Sequence, residues 1–173
     1  MSSSAQWIAA IFGALLLSTE AKADIHVTFI EGAPKDRFEI QNVGACTMRE
    51  GIVTVDLENS NGALVFDVAD GGAGLEVFQP FQIVQGQDAL TSLPMVADGQ
   101  TSVALEISAL APGQRVVFTI DVDDTVGTRS ITVTDAEIAG ATVSLAQGGI
   151  QSGIDKTAAF SANAVAALPV TTC

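Results

Sequence analysis

Gly51-Ile-Val-Thr-Val-Asp-Leu-Glu58, then Asn59-Ser-Asn-Gly62, then Ala63-Leu-Val-Phe-Asp-Val68 is the stretch on which the reading of the fold turns. Val53, Val55 and Leu57 alternate with Thr54, Asp56 and Glu58, and a period of two places the apolar set on one face of a β-strand. Asn-Gly is the dipeptide that two-residue hairpin turns favour, because such turns need positive φ at both central positions. The spacing therefore predicts a hairpin in which Ser60 pairs with Ala63, Leu57 with Phe66 and Val55 with Val68. That register sets Asp56 opposite Asp67, and like charges facing each other across a strand pair are destabilising.

The alternation recurs in both directions along the chain. Ile25–Ile30 and Arg37–Val43 precede the hairpin, and Leu75–Phe78, Phe81–Val84, Ser102–Leu110, Arg115–Val122, Arg129–Asp135 and Ile138–Leu145 follow it. Ala111-Pro-Gly-Gln114 reads as a turn, and Asp70-Gly-Gly-Ala-Gly74 as a flexible loop. Gly148–Ala159 is rich in Gly, Ala and Ser and has the least regular pattern, while Ala162–Pro169 is a candidate edge strand. No window shows a convincing helical period. Roughly six to ten short strands, with turns every 8–12 residues or so, predict an all-β fold: a single antiparallel β-sandwich, immunoglobulin-like or jelly-roll-like.

Residues 1–23 are set apart from that domain. Trp7–Leu17 is an unbroken apolar run, shorter than the about 20 residues a membrane-spanning helix needs. Ser18-Thr-Glu-Ala-Lys-Ala23 follows, and Ala21-x-Ala23 is the small-residue pattern of a signal-peptidase site. No Lys or Arg precedes the apolar run, so only the terminal amine supplies positive charge there. Export with cleavage after Ala23 is the expectation, to the periplasm, cell surface or medium, leaving 24–173 as one domain. A core helix is the alternative for the apolar run.

Two cysteines remain, Cys46 and Cys173. In an oxidising compartment an even pair reads as a disulfide. Such a bridge would close a loop of about 128 residues, worth roughly 4–5 kcal/mol in the chain-entropy account. Two free thiols are the alternative.

The chain carries a net charge of −13, which loss of Glu20 and Lys22 with the leader leaves unchanged. Such a surface repels nucleic acid and anionic lipid, so neither is an expected partner. Catalysis is not expected either. His26 is the one histidine, there is no tyrosine, and the one tryptophan, Trp7, lies in the leader. No nucleophile elbow, phosphate loop or zinc-protease motif occurs. Gly71-Gly-Ala-Gly74 leads into a strand pattern and so lacks the helix N-terminus that holds phosphate.

Carboxylates are what the sequence does concentrate. In Asp121-Val-Asp-Asp-Thr125, the inward set Val116, Phe118, Ile120 and Val122 leaves Asp121 and Asp123 projecting together from the other face, with Asp124 opening the turn. A hard cation with six to eight oxygen ligands neutralises such a cluster, and calcium is the natural occupant. Glu31 and Asp36, flanking Gly32-Ala-Pro-Lys35, are further candidate ligands, with Asp56 and Asp67 after them. A solvated acidic face is the competing reading, because exposed acids are screened by salt.

Phe29–Phe38, Gly62–Val68, Val77-Phe-Gln-Pro-Phe81 and Phe118–Thr125 together resemble a family of small secreted proteins of marine alphaproteobacteria, described as aggregation factor core. The resemblance spans most of 24–173. It implies calcium-dependent cell–cell or cell–surface adhesion, with Asp121–Asp124 as the cation-binding segment. The expected role is a secreted or cell-surface adhesion module with extracellular protein or glycan partners, or self-association. The alternatives are a soluble ligand-binding domain or a structural subunit of a surface assembly.

Overall fold

Val27, Phe29, Phe38 and Ile40 alternate with polar residues, and that alternation folds as neighbouring antiparallel strands with the apolar set fully inside. The structure, a computed structural model, describes residues 23–74, 78–126, 132–147 and 156–170. Its strands are β1 (Ala23–Ile30), β2 (Asp36–Asn42), β3 (Met48–Asp56), β4 (Val65–Phe66), β5 (Gln82–Gln85), β6 (Ser102–Leu110), β7 (Arg115–Ile120), β8 (Val122–Asp123), β9 (Thr142–Gln147), β10 (Lys156–Ala159) and β11 (Val165–Val170). Every pairing among them is antiparallel.

One sheet runs β11-β1-β2-β7-β5, a second runs β10-β9-β3-β6, and a two-stranded ribbon joins β4 to β8. Both larger sheets contribute to one apolar core. Ile25, Val27, Phe38, Ile40 and Phe118 come from the first, and Val53, Val55, Leu105, Ile107, Val143 and Leu145 from the second. Phe38 and Phe118 stack with ring centroids 4.9 Å apart. Burial of each large apolar side chain contributes about 1.5–3 kcal/mol, so this core dominates the stability.

The expected 51–68 hairpin does not form. β3 is a central strand, flanked by β6 on one edge and β9 on the other, and offers no edge to β4. Asp56 consequently faces Ser102 and Thr142 and not Asp67. The turn chemistry agrees. Ser60 N–H donates to Leu57 O (2.9 Å), Ala63 N–H to Ser60 O (3.1 Å), and Leu64 N–H to Ser60 Oγ (2.8 Å). Asn61 and Gly62 spend their amides on Ala139 O and Glu137 O, and positive φ falls on Ala63 instead of the Asn-Gly pair.

A second departure is a one-turn helix, α1 (Asp135–Ile138), where Arg129–Asp135 reads as a strand; residues 127–131 lie outside the described set. Thr134-x-x-Glu137 is a capping-box spacing, and the Thr134 N–H donates to Glu137 Oε2 at 2.8 Å. Of the expected strand Leu75–Phe78, residues 75–77 lie outside the described set. Within the irregular 148–159 stretch, Lys156–Ala159 forms β10. The tail does add an edge strand, β11 against β1. Among the described residues no helix is long and apolar enough to cross a membrane.

Candidate acidic site

At Asp121 the chain leaves one sheet for another. β7 pairs with β2 as far as Ile120; the Asp121 N–H then donates to Gln79 O (3.3 Å), and its carbonyl accepts from Asp67 N–H (3.1 Å). Val122 and Asp123 continue as β8, opposite Phe66 and Val65. This crossing places Asp67 beside Asp121 at the end of the ribbon, with Asp123 two residues further on.

Two segments cover the ribbon. On the far side of β4, Phe66 N–H donates to Gln100 O and Gly99 N–H to Phe66 O, each at 2.9 Å. From that segment the Asp98 carboxylate reaches over Asp67 to the next loop. Asp98 Oδ1 accepts from Val68 N–H (3.1 Å) and Oδ2 from Ala73 N–H (2.7 Å). The Gly-rich loop 70–74 then lies directly on the carboxylates. A Cβ at Gly74 would collide with both Asp123 Oδ2 and Asp67 Oδ2, and a Cβ at Gly72 would collide with the Asp98 carboxylate.

The carboxylates beneath are withdrawn from water. Asp67 is 0 % exposed, Asp121 8 %, and Asp123 and Asp124 3 % each. No hydrogen bond of acceptable geometry reaches either oxygen of Asp67, nor Asp121 Oδ2. A buried polar atom left in that state is costly. Burial pushes the Asp67 carboxyl up to about 6, with the carboxyl–carboxylate interaction with Asp98 and the Asp123 charge adding to it and the Ala69 N–H pulling the other way. Asp121 is pushed to about 7 by burial and then by the Asp123 and Asp67 charges. Asp98 is held below the ordinary carboxylate range, chiefly by the Val68 N–H.

The other candidates stand apart from this convergence. Asp36 is buried and raised to about 7 by desolvation, although its oxygens accept from Gly32 N–H (3.2 Å) and Val122 N–H (3.0 Å). Those bonds make it a strut between the first loop and the start of β8. Glu31 is exposed nearby, and its charge bears on Asp36. Asp56 accepts from Glu58 N–H at 2.9 Å, within its own turn. Asp67, Asp121 and Asp123 are therefore brought near one another, Asp124 follows at the opposite end of the ribbon beside the 62–64 turn, and Asp56 stands apart.

Asp98 is absent from the sequence reading, and Gly72 and Gly74 enter it only as part of a plain loop. The Asp98-Gly99 turn dipeptide and the run of glycines are the signals that could have pointed to them. The ion pairs between described residues join Arg37 (3.2 Å) and Arg115 (3.4 Å) to Glu39 on the five-stranded sheet. Among the described residues no three His, Cys, Asp or Glu side chains form a ready-made metal cage. Calcium, however, completes its shell with backbone oxygens and water. No free cysteine occurs among the described residues; Cys46 packs against the core, and Cys173 lies outside them. Comparison with known protein families, curated proteins and solved structures finds no match to this chain.

Proposed function

We propose that the chain is an exported, non-enzymatic association module of the adhesion type, whose ribbon end binds calcium. The observation that carries the reading is Asp67: wholly buried, with no well-aligned hydrogen bond to either oxygen, and crowded by Asp98, Asp121 and Asp123 in a chain of net charge −13. A carboxylate in that position either keeps a proton, shared toward Asp98, or takes a cation. At neutral pH in salt water the second route neutralises several carboxylates at once. Asp67, Asp121 and Asp123 supply the charge, Asp36 and Glu31 border the site, and Asp124 lies at the other end of the ribbon. The adhesive part of the reading draws on the likeness to the aggregation-factor-core proteins.

The two larger sheets, sharing one core, are proposed to form a single β-sandwich closed by a Cys46–Cys173 bridge. Supporting that bridge, Val170 pairs with Ala23, Val43 N–H donates to Asp24 O (2.8 Å), and Asn42 Nδ2 donates to Cys46 O (2.8 Å). Three residues past Val170 reach about 10 Å, enough to meet the 43–46 loop. Residues 1–23, all but the last outside the described set, are proposed as the leader that directs export.

Size-exclusion chromatography of mature protein tests the function directly. Millimolar calcium is expected to increase apparent size, and chelator to reverse the change. An unchanging monomer in both would contradict the adhesion reading. It would favour a ligand-binding domain instead, for which a cavity of about 380 Å³ lined by Phe81, Gln82, Ile83, Val84, Gln87, Leu93 and Pro94 is the specific support.

A further inference from the structure

The outer strands of the two larger sheets are β11, β5, β10 and β6, and an open edge of this kind pairs with another chain unless something blocks it. β6 is covered: Leu90 bridges to Ile107, and Thr91 N–H donates to Glu106 O at 2.9 Å. β10 carries Lys156, and β11 carries Pro169. β5, Gln82-Ile-Val-Gln85, has neither charge nor proline, and among the described residues nothing bonds to its backbone on the side away from β7. A register shift against β7 between Ile83 and Gln85 leaves Val84 out of the ladder and 56 % exposed.

The surface around this edge is unlike the rest of the molecule. Of the large apolar side chains exposed among the described residues, Phe78, Val84, Leu93 and Met95 fall between residues 78 and 95, and Val43 and Val126 lie outside. From Phe78 to Ala97 the one charged residue is Asp88, in a chain of net charge −13. The cavity between Phe81–Val84 and Leu93-Pro94 lies along the same edge. Copies of so acidic a chain repel each other over most of their surface, so they approach at least cost where the surface is neutral and apolar.

The two charges flanking β5 are opposite in sign. Lys35, whose Nζ donates to Gln82 Oε1 (2.8 Å), stands at its start, and exposed Asp88 stands past its end, in the short 3-10 helix Gln87–Ala89. Among the described residues Lys35 joins no ion pair. A strand paired antiparallel with its own copy about a two-fold axis sets the start of each against the end of the other. Lys35 of each copy is thereby brought toward Asp88 of the other. An unrelated apolar peptide would satisfy the backbone but not this order of charges.

We propose that β5 is the self-association edge of this chain: two copies pair β5 to β5, antiparallel, with Val84, Leu93 and Met95 covered between them. This rests on the association reading above and adds to it the surface and the partner; the pairing itself needs no calcium.

Sedimentation velocity of the mature protein in chelator, over a concentration series, tests it, with each variant checked for folding by far-ultraviolet circular dichroism. Wild type is expected to pass from monomer to dimer as concentration rises, and added salt to favour the dimer by screening the repulsion of two acidic copies. Val84→Lys is expected to weaken dimerisation about tenfold or more, because like charges then meet near the two-fold axis. Lysine lowers the net negative charge, so general repulsion cannot account for that loss. Val43→Lys, outside the patch, is expected to leave dimerisation unchanged. Asp88→Lys is expected to weaken it about threefold, and Lys35→Glu added to Asp88→Lys to restore it. A double variant no better than Asp88→Lys would overturn the antiparallel pairing. A wild-type monomer at every concentration, or a dimer that Val84→Lys leaves untouched, would overturn the proposal; growth in calcium under either result would leave the association reading standing. A monomer in chelator and in calcium alike would overturn both. A monomer whose binding of an apolar fluorescent dye is lost in Val84→Lys would overturn the proposal in favour of another occupant of the cavity.

Discussion

The apolar core to which the two larger sheets contribute and the β4–β8 ribbon obey opposite rules. In the core, apolar side chains are removed from water and the strand backbones pair in regular ladders. Phe38, Phe118, Ile40 and Leu105 are all fully buried in one apolar cluster. At the ribbon, four aspartates are buried with nearly the same completeness, and three of their oxygens (both of Asp67 and Asp121 Oδ2) have no hydrogen bond. The first region lowers the free energy of the chain by itself. The second raises it unless protons or a cation are bound, since unsatisfied buried acids oppose folding. Stability is thereby assigned to the sheets, and the proposed calcium binding to the ribbon.

The largest effect that sharpens this contrast lies in the core. Phe118→Ala removes a ring that stacks on Phe38 and also meets Phe81, with centroids 5.1 Å apart. A loss of about 3–5 kcal/mol is expected, read as a lowered denaturation midpoint in urea. The loss should be equal with and without calcium, because the ring is remote from the carboxylates in function. A calcium-dependent loss would erase the distinction between the two regions.

A smaller effect separates the regions by pH. Asp36, Asp67 and Asp121 are raised from an ordinary value of 3.8 to about 7, 6 and 7. Folded protein therefore holds protons that the unfolded chain has released, and metal-free stability falls as pH rises from about 4 through about 7. Asp98 acts in the other direction: its contribution is present above its ordinary titration range and fades as pH falls through its lowered value. Metal-free protein should thus melt at a higher temperature at pH 5 than at pH 7.5. A melting temperature that is flat or rises over that interval would contradict the burial of these acids.

The smallest effect belongs to neither region. Thr134→Ala weakens the first turn of α1, at an expected cost of about 1 kcal/mol in urea denaturation, unchanged by calcium. A cost near zero would show that tertiary contacts alone hold that turn.

How far the sequence discloses this arrangement follows from the range of the interactions. Alternation within one strand is local, so Ser102–Leu110 matches β6 to the residue, and Ile25–Ile30 and Arg37–Val43 match β1 and β2 closely. The inward set Val116, Phe118, Ile120 and Val122 is likewise legible, and all four are buried. Pairing is not local. Asn61-Gly62 is a strong hairpin signal, yet it loses to the two long partners β3 finds in β6 and β9. Asp67 does meet like charge, but from Asp98, Asp123 and Asp121 in place of Asp56. Asp121 and Asp123, expected to project from the outer face of a strand, are buried. The 69–74 loop bears on Asp123 and Asp67 through Gly74, and no period in the sequence encodes that approach.

The central claim is that the buried ribbon acids need a cation, and scanning calorimetry at pH 7.5 tests it most directly. Wild type and Asp67→Asn are each melted metal-free and with millimolar calcium. Metal-free Asp67→Asn is expected to melt a few degrees above metal-free wild type, because a neutral amide replaces a charge left without hydrogen bonds, and about 1 kcal/mol corresponds to about 2–4 °C at this size. Calcium should raise the melting temperature of wild type by 5 °C or more, roughly the 2.7 kcal/mol gained at a hundredfold excess over Kd, and leave Asp67→Asn nearly unmoved. Superimposable wild-type curves with and without calcium would contradict the account.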